Sequence, residues 1–188
     1  MRVRTLFDFA MARITLAGTA FLFSFTHACA ASPGDTPCHY AVSRTLPFTS
    51  AASRDRLTVS ISRGPCVSAK LSIVVVSSRG NVLYRYVAPF KQHVATDWDS
   101  PDLVKDAHRF VEDTASHALV PRDELPKPKP PGQAEDTDPE LKVPADVYQR
   151  LISSGQPMIE HDTYYEGGRY VMFDPTTHAA RVVAVWGL

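Results

Sequence analysis

Between residues 55 and 87 the chain reads "DRLTVSISRGPCVSAKLSIVVVSSRGNVLYRYV". No other stretch limits the fold as tightly. Leu57, Val59 and Ile61 alternate with Thr58, Ser60 and Ser62, the period-two pattern of a strand with one face buried. "GPC" marks a turn. The apolar run at 73–76, "IVVV", is β-branched and suits a central strand covered on both faces. Gly80 and Asn81 supply a second tight turn, and Val82, Tyr84 and Tyr86 share one face of a returning strand. The block reads as a three-stranded antiparallel meander. Residues 38–46 are read as a further strand before it.

The period then changes. Over 99–119, Leu103, Ala107, Phe110, Val111, Thr114 and Ala118 fall on one helical face, with Lys105, Arg109, Glu112 and Ser116 opposite. Asp99 or Ser100 can cap this helix, and Pro101 suits its first turn. An apolar stripe of this kind must be buried against a sheet. A shorter helix is expected over 144–155, with Val147, Tyr148, Leu151 and Ile152 on its apolar side and Gly155 ending it. A C-terminal hairpin follows, with strands 168–173 and 180–186 around a turn at Asp174–His178.

Residues 121–140 hold six prolines and almost nothing apolar. Such a segment buries too little surface to offset its ordering entropy. It reads as an extended, polyproline-like loop. Its PxxP at 128–131 is a ligand pattern for aromatic grooves, with a plain spacer as the simpler reading. Residues 141–188 are too few to stand alone and hold no cysteine, so they are expected to complete the same sheet. The expected architecture is α+β: one antiparallel sheet of about five or six strands, two helices on one side, and an exposed Pro-rich loop.

The first thirty residues carry Arg2, Arg4 and Arg13 against Asp8, then the uncharged run "ITLAGTAFLFSF", then "THACA" with small residues at Ala28 and Ala30. That order is a secretory signal peptide cut after Ala30. The apolar run is shorter than the roughly 20 residues of a membrane span. Met11 opens a more compact version of the same signal. Lipidation at Cys29 is the competing reading, but His27 is out of character beside a lipidated cysteine. The expected domains are 1–30, signal peptide, and 31–188, one exported domain with the loop at 121–140. Cys38 and Cys66 then remain, and in an oxidising compartment they are expected to form a disulfide. Closing a loop of about 30 residues is worth roughly 3.5 kcal/mol by chain entropy. The localisation implied is periplasmic or secreted.

After the leader, the chain is slightly acidic, with both signs interspersed and no basic stripe, which argues against nucleic acid as a partner. It has no second apolar run of spanning length. The six remaining histidines form no H-x-H or H-E-x-x-H, and no cofactor or metal motif is present. In Glu160-His161-Asp162, strand alternation allows only Glu160 and Asp162 to converge. Asp97, Asp99 and Asp102 miss the spacing of a calcium loop because Pro101 occupies a ligand position. There is no G-x-S-x-G, and no serine is singled out as a nucleophile. The richest surface candidate is the turn around "YYEGGRY". Tyr164, Tyr165, Glu166, Arg169 and Tyr170 have the composition of protein-binding hot spots, although tyrosines packed on the sheet would look the same. These observations favour a small exported binding protein, of inhibitor or immunity type, whose partner is another envelope or secreted macromolecule. Two alternatives compete with it: a secreted hydrolase using His161 with a nearby carboxylate, and an envelope assembly factor.

Overall fold

The computed structural model describes residues 37–94, 100, 102–135 and 138–187. The expected leader, its cleavage point, Cys29, Asp97, Asp99 and Pro101 lie outside them. Four strands form the first sheet: β1 (Tyr40–Leu46), β2 (Asp55–Ile61), β3 (Lys70–Val76) and β4 (Val82–Pro89), paired antiparallel in chain order. Helix α1 (Leu103–Ser116) follows. The second sheet is built from β5 (Glu140–Leu141), β6 (Met158–Tyr164), β7 (Gly167–Asp174) and β8 (Ala179–Trp186), in the order β5-β8-β7-β6, with α2 (Ala145–Ser153) between β5 and β6.

The class is α+β with two helices, but the expectation of a single sheet of five or six strands is overturned. Two antiparallel sheets of four strands each are present. The helices do not share one side either. Leu103, Ala107, Val111 and Ala115 of α1 bury against Leu57, Val59, Ile61, Leu71 and Ile73 of the first sheet. Tyr148 and Leu151 of α2 bury against Met158, Met172 and Val183 of the second. The physical reason lies in β6 and β7, whose alternate side chains enter different cores. Ile159, Val171 and Phe173 join the first core, while Met158 and Met172 join the second. A hairpin apolar on both faces needs two covers, and the two helices supply one each.

The strand covered on both faces is therefore β7, not β3. In β3, Leu71, Ile73 and Val75 are buried, while Ser72, Val74 and Val76 on the other face are half-buried. Cys38 and Cys66 are fully buried and disulfide-bonded, with Cα atoms 4.8 Å apart, tying the start of β1 to the turn before β3. The Ser100 hydroxyl accepts the Asp102 amide at 3.2 Å at the head of α1. Glu112 on α1 accepts from the Tyr40 hydroxyl (2.7 Å) and from Arg44 (3.0 Å), fixing the helix over β1.

The Pro-rich segment is exposed over much of its length but is pinned rather than free. At one end Ala118 and Val120 pair with the edge of β6, through Glu160 N to Ala118 O (2.7 Å) and Val120 N to Met158 O (3.0 Å). At the other end Lys129 lies alongside β5, donating to Pro139 O (2.8 Å) and accepting from Leu141 N (2.9 Å). Between them the Tyr148 hydroxyl donates to Pro126 O (2.6 Å) and Arg122 to Ile152 O (3.3 Å). The segment is a strap drawn over α2 from one edge of the second sheet to the other. No helix among the described residues is long and apolar enough to cross a membrane.

Candidate functional site

The β6–β7 hairpin turns at Tyr165 and Glu166, not at the glycine pair, because Tyr164 pairs with Gly167 and Asp162 with Gly168 inside the ladder. The glycines serve a different purpose. A Cβ on Gly168 would come within 2.7 Å of the Trp186 ring, and one on Gly167 would run into the Tyr164 ring. The missing side chains leave the space that the two aromatic rings occupy. Tyr165 beside them is 56% exposed, the most exposed of the large hydrophobic side chains among the described residues. Its ring meets Tyr164 edge-on at 6.5 Å between centroids. Its amide donates to Gln92 O at 2.9 Å, which ties the tip to the 3-10 turn Phe90–Gln92 after β4. Glu166 beside it is exposed.

The five residues singled out from the sequence are thus divided. Tyr164, Tyr165 and Glu166 form the tip. Arg169 points between the sheets, with its guanidinium carbon 4.8 Å above the Tyr86 ring and its Nε buried without a hydrogen-bond partner. Tyr170 points to the opposite face, where burial and the Glu160 carboxylate raise its phenol pKa.

Behind Arg169 lies a group that sequence reading did not assemble: Tyr84 and Tyr86 from β4, His93 after it, and His161 from β6. His161 is 4% exposed. Its Nδ1 donates to the Asp162 carbonyl (2.8 Å), which leaves Nε2 to accept the Tyr84 hydroxyl (2.7 Å). Burial pushes its pKa down to about 4, against that carbonyl bond and with the Arg169 and His93 charges adding to the depression. Tyr86 donates to Thr163 O (3.0 Å) and lies 3.1 Å from His93 Nε2, while His93 Nδ1 lies 3.1 Å from Pro89 O. Burial lowers the His93 pKa too. The signal that could have exposed this group was the spacing of Tyr84 and Tyr86 on the inner face of β4, opposite a histidine that alternation turns inward.

Glu160 and Asp162 flank His161 and line one open cleft with it, but neither carboxylate is a hydrogen-bond partner of the ring. Burial raises the Glu160 pKa, opposed by the facing Tyr170 hydroxyl and Trp186 indole N–H. Burial and the Glu160 charge raise that of Asp162. An open cleft of about 280 Å³ runs along this edge of β6, closed on its far side by Phe110, Asp113, Thr114 and His117 of α1 and the residue after it. Both nitrogens of His161 are engaged, and its partners are a phenol and a backbone carbonyl, neither of them a carboxylate or a nucleophile. Among the described residues, no group of three or more His, Cys, Asp or Glu is placed to hold a metal ion. A second groove, of about 470 Å³, lies between the strap and α2, lined by Leu125, Pro126, Pro128, Tyr148 and Ile152 among others.

Compared with protein-family models, with curated proteins and with solved structures, the chain matches none.

Proposed function

We infer that the chain is exported by its leader, is cut after Ala30, and acts in the envelope or outside the cell by binding another macromolecule, in the manner of a small inhibitor or immunity protein. The buried Cys38–Cys66 disulfide supports the oxidising compartment. The observation that carries the binding reading is the hairpin tip. It presents the exposed Tyr165 on a rigid base, with Tyr164 and Trp186 seated on glycines and the backbone bonded to Gln92. Tyrosine offers large contact area at low conformational cost, and an anchor held in place before binding loses little entropy on binding.

The hydrolase reading is weakened by His161. With a pKa near 4 and both nitrogens bonded, the ring is not poised to take a proton from a substrate at neutral pH. The assembly-factor reading drew on the reach of a free Pro-rich loop, and the strap is held at both ends.

Tyr165→Ala is expected to weaken capture of the partner from envelope extract tenfold or more, with Tm unchanged within a degree or two, since truncating a central Tyr anchor typically costs about 2 kcal/mol of binding. Capture that persists at full strength in this variant rejects the tip as the contact. Arg169→Ala serves as contrast, because it removes a ring contact between the sheets and is expected to lower Tm.

A further inference from the structure

Residues 37–94 contain eight Lys and Arg and one Asp, and that acid, Asp55, is buried. The excess of acids lies after residue 94. The expectation of interspersed charges with no basic stripe is thereby overturned: the two signs are segregated along the chain, and the fold turns this into a surface. Alternation sends Leu57, Val59 and Ile61 into the core and Arg56, Thr58 and Ser60 outward. The β2–β3 and β3–β4 registers put Lys70 and Arg85 on that same outer face. All three cations are exposed and none is in a salt bridge among the described residues. Arg54, Arg63, Arg79 and Lys91 stand at the ends of the strands, exposed and likewise without an ion pair. Among the described residues no carboxylate shares the face, and Arg56, Lys70, Val82, Arg85 and Val87 on it are exposed.

We propose that the outer face of the first sheet docks on a membrane surface carrying anionic phospholipid headgroups. The arrangement of the face selects this partner over others. Strand spacing places the Arg56 and Arg85 side chains about 12 Å apart, so they do not converge on one anion. They match instead a two-dimensional array of phosphates. The rest of the face is Ser, Thr, Ala, Val and Pro. It carries no aromatic side chain to anchor a protein partner or to stack a base. Val82 (53% exposed) and Val87 (48% exposed) stand among the cations as short apolar contacts for the headgroup layer. The acidic remainder of the molecule gives it a charge dipole that turns the basic face toward an anionic surface. This surface is separate from the Tyr165 tip, and its test does not depend on that reading.

The test is sedimentation of the oxidised chain from residue 31, which carries both sheets and both helices, with vesicles of phosphatidylcholine alone or with 30% phosphatidylglycerol. Binding is expected only to the anionic vesicles and should fall steeply between 50 mM and 200 mM salt. The triple variant Arg56→Gln, Lys70→Gln, Arg85→Gln is expected to lose on the order of tenfold to a hundredfold in partition. Lys105→Gln with Arg109→Gln, on the exposed face of α1, should retain it. Far-UV dichroism confirms folding, and the single variants carry the comparison if the triple one is unfolded. Equal binding to neutral vesicles, equal partition of the triple and control variants, or binding of the face to a polyglutamate peptide without any to anionic vesicles would each overturn the proposal.

Discussion

One oxygen of Asp55 accepts from the amides of Phe48 (3.2 Å) and Thr49 (2.7 Å) and from the hydroxyls of Thr49 (2.9 Å) and Ser53 (2.7 Å). Burial alone would raise this carboxyl's pKa, but those bonds together hold it below the ordinary range. Asp55→Ala leaves the Thr49 amide without its partner, while the Phe48 amide keeps the Ser53 hydroxyl (3.0 Å), and it is expected to lower unfolding free energy by about 1–2 kcal/mol in a urea titration. Loss of less than about 0.5 kcal/mol would mean that the turn re-pairs. His161 governs a second residue-level effect. Its folded pKa, about 4, lies below the usual 6.5, so the unfolded chain takes up the proton first as pH falls. The associated stability is complete above about pH 6.5 and drains away toward pH 4, a loss of about 2 kcal/mol between pH 7 and pH 5. His93, depressed by burial, acts in the same direction. Urea titrations at the two pH values should show that difference reduced in His161→Gln; an unchanged difference would place its origin elsewhere. Neither residue declares its role in sequence. An aspartate between two arginines looks like surface charge, and only the fold closes a turn over it.

At the level of elements, legibility follows the contrast between faces. β2 was readable because Leu57, Val59 and Ile61 alternate with hydroxyl residues and only one face is buried. Both helices were readable for the same reason at the helical period. β6, "MIEHDTY", lacks that contrast, because one of its faces carries Glu160 and Asp162 and the other His161, all buried or half-buried. β5 is two residues long and is defined by its pairing with β8 and its bridge to Lys129. The strap escaped notice because its composition is that of an unbound loop, while its anchoring uses backbone groups of Pro126, Lys129 and Pro139 that carry no side-chain signature. Cleavage within 131–135 is therefore expected to leave the two pieces associated through gel filtration under native conditions. β6 stays paired with Ala118–Val120 and both cores remain intact. Separation without denaturant would contradict the anchoring.

For the molecule as a whole, the class and the meander could be read ahead of the structure, but the number of sheets could not. Counting strands leaves open whether the C-terminal hairpin extends the first sheet or faces it. That choice rests on Ile159, Val171 and Phe173 lying in one core with Val59 and Ile73, about a hundred residues away in sequence. The candidate tip was legible by composition, whereas the close approach of Trp186 to Gly168 beneath it was not. The strap has one more consequence, for how molecules behave in company. It occupies the β6 edge of the second sheet at one end and runs along β5 at the other. A molecule whose strap slipped would bare both edges at once, the condition for open-ended strand addition from one copy to the next. Prolines at 126, 128, 130 and 131 lack the amide that such a ladder needs. The segment that seals the sheet is thus itself a poor template for fibre growth.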